Sequence, residues 1–246
     1  MKSIFLSLLL LTPSFAHEGH DKDAETTAMA AEISERLIPA ALKEAGFKSI
    51  FNGKDLDNFR KTGGNASYEI KDGAIRGFGK DINDNTFLIT KETYKDFIFA
   101  FQVKFLDPKG NSGCMFRAQQ KDGKPDGRVF GYQCEHDQQR EVPREWTAGL
   151  FDEKRRGWLS PHKTASKEVK AAFTEQGKRL FKWDGWNTIV IKCEGNHIKT
   201  YLNGELRADF TDTDEKKTDL EGFFGLQVHK GKSGDILWKN LFIKEL

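Results

Sequence analysis

Phe97–Phe105 places Phe97, Phe99, Phe101, Val103 and Phe105 on one parity of nine consecutive residues. In an extended strand successive side chains point to opposite faces, so these five large apolar groups share one face. Helical periodicity would scatter them around the axis. Such a strand has to bury that face against a second layer. The rest of the chain from Phe47 onward repeats the theme in short pieces. Tyr68–Lys71 and Ala74–Arg76 flank Asp72-Gly73, a hairpin signal, and Phe87–Thr90 follows. Further strands are predicted at Cys114–Gln119, Phe130–Asp137, Trp186–Cys193, His197–Leu202, Phe223–His229 and Asp235–Ile243, with Asn203-Gly204 as a type I′ turn pair. About a dozen strands without a βαβ rhythm predict an all-β, antiparallel β-sandwich. Twenty Phe and five Trp supply its core. The longest irregular stretch, Pro143–Lys182, holds a possible helix near Ser166–Thr174, and long loops inside compact domains are usually functional.

The N-terminal region differs in kind. Met1–Ala16 has one basic residue, an apolar run from Ile4 to Leu11, and a small-x-small end, Ser14-Phe15-Ala16. It reads as a signal peptide with a mature start at His17, so the protein is expected to be secreted or periplasmic. Residues 17–46 form a polar segment with a short helix: His17–Thr27 is expected to be a flexible terminus, and Ala28–Gly46 a surface helix divided at Pro39. Residues 47–246 make up the sandwich domain. No segment is long and apolar enough to span a bilayer. The net charge of +2 gives no electrostatic case for nucleic acid. Cys114, Cys134 and Cys193 read as buried strand thiols; a Cys114–Cys134 disulfide is permitted in a secreted protein but not implied.

Two segments carry the chemistry. In Gly131–Asp137 (GYQCEHD), Gln133, Glu135 and Asp137 alternate with Tyr132, Cys134 and His136. A strand with an amide and two carboxylates on one face is a poor core strand, so that face has to meet water, a cation or a ligand. The Cβ atoms of Glu135 and Asp137 would lie roughly 7 Å apart, a spacing that suits paired acid/base work at a glycosidic bond. The competing reading is a solvated face paired with arginines. In Gly149–Leu159 (GLFDEKRRGWL), Asp152 and Glu153 precede Arg155, Arg156 and Trp158. Carboxylates, guanidiniums and an indole suit a polyhydroxylated ligand such as a carbohydrate; a surface ion-pair network and a loop anchor are the alternatives. A divalent cation held by Asp137 with Asp152 or Glu153 is a further possibility.

Other candidates gather around this face. Asn111-Ser112-Gly113 is expected to form a tight turn. Arg117 shares a strand parity with Met115 and Gln119, and reads either as a ligand-binding group beside the carboxylates or as a partner of Glu135. Gln227 and His229 sit on a polar parity opposite Leu226 and Val228, which places them on the same concave surface as Gln133 and Glu135. Histidine as a residue type changes charge near neutral pH, so His229 is read as a candidate base.

Taken in order, Phe51–Leu56 (FNGKDL), Asn111–Arg117 (NSGCMFR), GYQCEHD, GLFDEKRRGWL, Trp186-Asn187, Asn203-Gly204, Gly225–His229 and Trp238–Leu241 resemble the DUF1080 family, also called the 3-keto-disaccharide hydrolase domain. The resemblance covers Phe47 to Leu246. It implies a concanavalin A-like jelly roll in a secreted or periplasmic enzyme that cleaves 3-keto-glycosides, by hydrolysis or by C2 deprotonation and elimination. Under that reading Glu135, Asp137 and His229 are the expected catalytic groups. Asn111, Arg117, Gln133, Asp152, Glu153, Arg155, Arg156, Trp158 and Gln227 are expected to bind substrate. A non-catalytic carbohydrate-binding module is the alternative, since jelly rolls serve both purposes. Binding modules rely on aromatic platforms, and the clustered carboxylates tilt the balance toward an enzyme.

Overall fold

A computed structural model of the chain describes residues 18–35, 39–121, 127–138 and 144–246. Two antiparallel sheets face one another. The first runs β13 (Glu205–Thr211), β12 (His197–Leu202), β11 (Asn187–Glu194), β6 (Phe97–Phe105), β15 (Gly231–Glu245), β4 (Ala74–Ile82), β3 (Ser67–Lys71), with β1 (Lys48–Ser49) added on β15. The second runs β10 (Gly157–Ser160), β9 (Leu150–Glu153), β8 (Val129–Asp137), β7 (Asn111–Gln120), β14 (Phe223–Val228), β5 (Thr86–Thr90), β2 (Phe59–Gly63). The expected jelly-roll sandwich is the fold observed.

The alternating face of β6 does what its pattern requires. Phe97, Phe99, Phe101, Val103 and Phe105 are all buried in the central core, with Tyr132 and Cys134 of β8 opposite them in the second sheet. Phe99 stacks on Phe224 at 4.1 Å between ring centroids. The first half of the other parity of β6 is apolar too: Ile98 and Ala100 join Val190, Tyr201 and Phe242 in a second cluster. Helices α1 (Glu18–Glu35) and α2 (Pro39–Glu44) supply Ala30, Ile33 and Leu42 to it, closing the outer face of the first sheet.

That packing corrects the reading of the N-terminal region. Residues 18–27, expected to be a flexible terminus, belong to an 18-residue helix. Thr26, Ala30 and Ile33 are buried at helical spacing, and Lys192 Nζ donates to Thr26 Oγ1 at 3.1 Å. Pro39 opens the next helix, where its missing N–H costs nothing. The signal peptide and the start at His17 lie outside the described residues. A third helix, α3 (Lys167–Leu180), is capped by Ser166, which accepts from Val169 N, and runs six residues beyond the expected Thr174. Asn111-Ser112-Gly113 is not a turn; it opens β7, with Asn111 opposite Asp137 and Gly113 opposite Glu135. The three cysteines are buried free thiols.

Candidate active-site cleft

The strand parity of β8 divides its residues as expected. Tyr132, Cys134 and His136 point into the sandwich, and His136 packs 5.6 Å from the Phe101 ring with its Nδ1 2.8 Å from Glu135 O. Burial lowers the His136 pKa to about 4, so this ring is a neutral core group. Gln133 and Glu135 point the other way, onto the outer face of the second sheet. They are joined there by Asn111 from β7 and Gln227 from β14. Gln227 Nε2 donates to Gln133 Oε1 at 3.0 Å, Gln133 Nε2 donates to Glu135 Oε2 at 3.0 Å, and Asn111 Nδ2 donates to Glu135 Oε1 at 2.8 Å. Both oxygens of one carboxyl group are thus fixed by amides from two strands. Gly113 makes room for this: a Cβ there would lie 2.5 Å from Gln133 Cγ and Cδ.

Glu135 is only 4% exposed. Burial raises its pKa first and the nearby Asp137 second. Hydrogen bonds from Asn111 and Gln133 and the charge of Arg144 pull the other way, and the balance stands at about 8. At neutral pH the group is mostly protonated, and its conjugate base is more basic than an ordinary carboxylate. That is the profile of a proton-transfer residue.

Arg144 is the cation of the site. Its Nε donates to Asp137 Oδ2 at 2.9 Å, and its Nη2 lies 3.9 Å from Glu135 Oε1. The guanidinium carbon sits 5.3 and 5.4 Å from the Trp146 and Trp158 ring centroids. The loop that carries it is fastened from below. Thr147 Oγ1 accepts from Asp137 N at 3.0 Å and donates to Asp137 O at 3.2 Å. Arg207 donates to the carbonyls of Glu145, Thr147 and Phe173, and its guanidinium lies 3.6 Å from the Phe173 ring of α3. Trp146 Nε1 donates to Thr174 Oγ1 at 2.9 Å. Helix α3 therefore serves as a brace for the loop that places Arg144.

These groups lie in a cleft of about 710 Å³, within the usual range for small-molecule sites. Phe151 and Trp158 form an aromatic wall, their rings 5.1 Å apart edge to face. His229 and Lys230 of the β14–β15 connection, with Lys232 at the start of β15, form the opposite wall. His229 Nδ1 donates to Lys230 O at 2.7 Å, which leaves Nε2 as the acceptor of the neutral ring. Glu153 enters from β9, its Oε1 accepting from Asn85 Nδ2 at 3.1 Å.

Of the residues singled out in the sequence, Asn111, Gln133, Glu135, Glu153, Trp158, Gln227 and His229 line this cleft. Five do not. Asp137 is fully buried and engaged by Arg144, so it sits beneath the cation and does not line the cleft. Arg117 misses the cleft because the β7–β8 register shifts between Met115 and Gln119, where Arg117 takes φ 44°. Its guanidinium turns into the fold, donating to Lys95 O, Gly195 O and Asp96 Oδ1 at 2.6–2.7 Å. Asp152 has the opposite parity from Glu153 and lies on the Tyr132 face. There it binds Arg155 and Arg156, which reach on to Asp219 and Asp212. This buried ion network ties the β9–β10 hairpin to the 212–219 loop, and carries none of its five members into the cleft. The cation site suggested from Asp137 with Asp152 or Glu153 is not assembled: the first is held by Arg144, the second faces away, and the third faces Asn85. Arg144, Asn85 and Phe151 are cleft residues that the sequence reading missed. Arg144 lies in the longest irregular segment, where no periodicity assigns a face; Phe151 was within reach, sharing parity with Glu153.

The same fold is found in solved structures of low identity. A candidate glycosyl hydrolase from Parabacteroides distasonis superposes with a TM-score of 0.56 at 19% identity, over 83% of this chain and 95% of that one. A galectin-like protein of unknown function from Bacillus subtilis gives 0.57 at 11% identity, over 81% and 94%. No curated protein matches the sequence. The family model of the 3-keto-alpha-glucoside-1,2-lyase-like domain matches residues 46–244. That match takes in both sheets from β1 through most of β15 and every cleft residue named above, and the chain belongs to this family.

Proposed function

We propose that the protein cleaves the glycosidic bond of 3-keto-glycosides by elimination across C1 and C2, with water then adding to the unsaturated product. The observation that carries this reading is Glu135: a buried carboxyl group, fixed by amides at both oxygens and raised to about 8, on the floor of an open cleft. The family's description as 1,2-lyase-like agrees with it.

A ketone at C3 acidifies the proton on C2. Glu135, in its ionised form, takes that proton, and the electrons move into the C2–C3 bond to give an enolate. Arg144, 3.9 Å from Glu135, is the cation placed to stabilise the negative oxygen at C3. Collapse of the enolate forms the C1–C2 double bond and breaks the C1–O bond. His229 is assigned the proton donor to the departing oxygen in its imidazolium form, with Nδ1–H on Lys230 O and the proton to be given on Nε2. Water added across C1 and C2 gives the free 3-keto sugar. Asp137 acts through Arg144, as a positioning residue. Trp158 and Phe151 offer an aromatic wall to the sugar ring, and Gln133, Gln227 and Glu153 offer polar groups to its hydroxyls.

The test is incubation of the purified protein with a 3-keto disaccharide and with its unoxidised parent, with aglycone release followed by mass spectrometry. Cleavage confined to the keto substrate, with solvent deuterium appearing at C2, supports elimination. Cleavage of the ordinary sugar points to direct acid/base hydrolysis. Sugar binding without cleavage of either moves the protein to the carbohydrate-binding class.

A further inference from the structure

The wall of the cleft opposite the aromatics is cationic, and nothing in the proposed chemistry uses that charge. Lys109 stands on the β6–β7 loop, Lys230 on the β14–β15 connection and Lys232 at the start of β15; all three line the cleft. Their backbones are tied down. Ser233 Oγ donates to Asp107 Oδ2 at 2.5 Å, and Lys109 N donates to Asp107 Oδ1 at 2.9 Å, so the β6–β7 loop is joined to the start of β15 beside Lys109 and Lys232. Lys230 N donates to Asn85 Oδ1 at 2.9 Å, and Lys230 O accepts from His229. The lysine side chains thus spring from a fixed backbone and not from a loose loop.

The carboxylates of the cleft keep their charge but form no ion pair with Lys230 or Lys232 among the described residues. Asp107 accepts from Ser233 and Lys109 N, Asp84 accepts from Asn85 N, and Glu153 faces Asn85 and Lys154. Arg144 is taken by Asp137. Lys230 and Lys232 are the cleft cations without a carboxylate partner among the described residues. The chain as a whole carries only +2, so their placement together at a cleft mouth is a local concentration of charge. Lysines on a solvated loop need no ligand, but these two border the same cavity as His229, the group assigned to the departing oxygen.

We infer that the cleft selects glycosides whose leaving portion bears an anionic group, a carboxylate or a phosphate, held by Lys230 and Lys232. The sugar ring takes the Phe151/Trp158 side and the aglycone the lysine side. This rests on the proposed reading of Glu135 as the site of cleavage, and it sets which substrates that site prefers.

The experiment uses aryl 3-keto-glucosides with a para-carboxylate, a para-phosphate or a neutral para-carboxamide, on the wild-type protein and on the Lys230→Gln/Lys232→Gln double variant. Both proteins meet the same leaving groups, so the ratio of their preferences removes intrinsic reactivity. The expected result is an anionic-over-neutral preference in kcat/KM that is about fivefold or more larger in the wild type than in the variant, the scale of two exposed charge pairs. That preference should shrink with added salt. Comparison of carboxylate with phosphate identifies the preferred anion. Equal preference in both proteins, with cleavage intact, overturns the inference and leaves the cleavage reading standing. Calorimetric binding of the same compounds separates the converse: a lysine-dependent preference in Kd without turnover retains the inference and removes the cleavage reading, and absence of binding removes both.

Discussion

Arg144 is held by Asp137 at 2.9 Å and stands off from Glu135 at 3.9 Å. A guanidinium paired directly with Glu135 would hold its carboxyl group ionised and weakly basic. Asp137 instead neutralises much of that cation and adds its own negative charge, which is the second cause of the raised Glu135 pKa after burial. The arrangement keeps a strong base and a cation within one small space.

Asp137→Asn should therefore move the titration of Glu135 toward acid. The substitution removes a charge that raises its pKa and frees Arg144, which lowers it. The limb of the kcat/KM profile belonging to Glu135 is expected to shift down from about 8 by about a unit, with a loss in kcat as the base weakens. A profile of unchanged shape would disconnect Asp137 from the chemistry.

Glu135→Gln should reduce turnover of a 3-keto-glycoside by at least about a hundredfold, the usual contribution of a proton-transfer group. It should also change how stability responds to pH. The native carboxyl group keeps its proton up to about 8, whereas the unfolded one releases it near 4.5. Across that window the native state binds more protons, so this group's contribution to stability is lost as pH rises. Glutamine does not titrate, and every other group is common to both proteins. The Tm of the variant relative to wild type should therefore climb between pH 5 and pH 9, as read by thermal denaturation. A constant difference would mean that Glu135 titrates normally.

The alternation in Phe97–Phe105 was enough to predict a strand, a buried face and a second layer, because period-2 burial is a local property of the chain. The same parity put Gln133 with Glu135 and Gln227 on one face. It failed at Arg117, where a register shift between Met115 and Gln119 reverses the side-chain direction with no glycine or proline in that stretch of β7 to announce it; the positive-φ glycine of the irregularity, Gly131, is on β8. It also could not separate Asp152 from Glu153 by function: adjacent residues take opposite faces, and which face is the cleft depends on the neighbouring strand β8. Arg144 was invisible for a different reason. Its position depends on Arg207, Thr147 and α3, all tertiary partners distant from it or outside any repeating pattern. Residues 18–27 look polar in isolation, and only the outer face of β11 and β12 explains why they form a helix.

Asp152→Ala should destabilise the fold while leaving the chemistry in place. Asp152 is fully buried and binds both Arg155 and Arg156. Removing it leaves two guanidiniums without their shared partner, at a cost on the order of 3 kcal/mol. Denaturant unfolding should show the loss. In the folded fraction, kcat should stay within about threefold of wild type, since the network lies on the opposite sheet face from Glu135. A large loss of kcat with unchanged stability would return Asp152 to the site.

Arg207→Met separates bracing from simple stability in the opposite sense. Arg207 lies under the loop, donating to Glu145 O and Thr147 O at 3.1 Å and stacking on Phe173. Methionine keeps much of the apolar bulk and loses every hydrogen bond, so the loop is released from α3 while the sheets remain packed. Arg144 rides on that loop, and small misplacement of a charge-stabilising group is costly in rate. The expected outcome is a fall in kcat of about tenfold or more at temperatures well below the variant's Tm. The indole fluorescence of Trp146 and Trp158, which stand edge to face at 4.5 Å, should change with it. Asp152→Ala, with comparable loss of stability, should show neither effect. If the two variants lose activity only in proportion to their unfolded fraction, the brace has no part in placing Arg144.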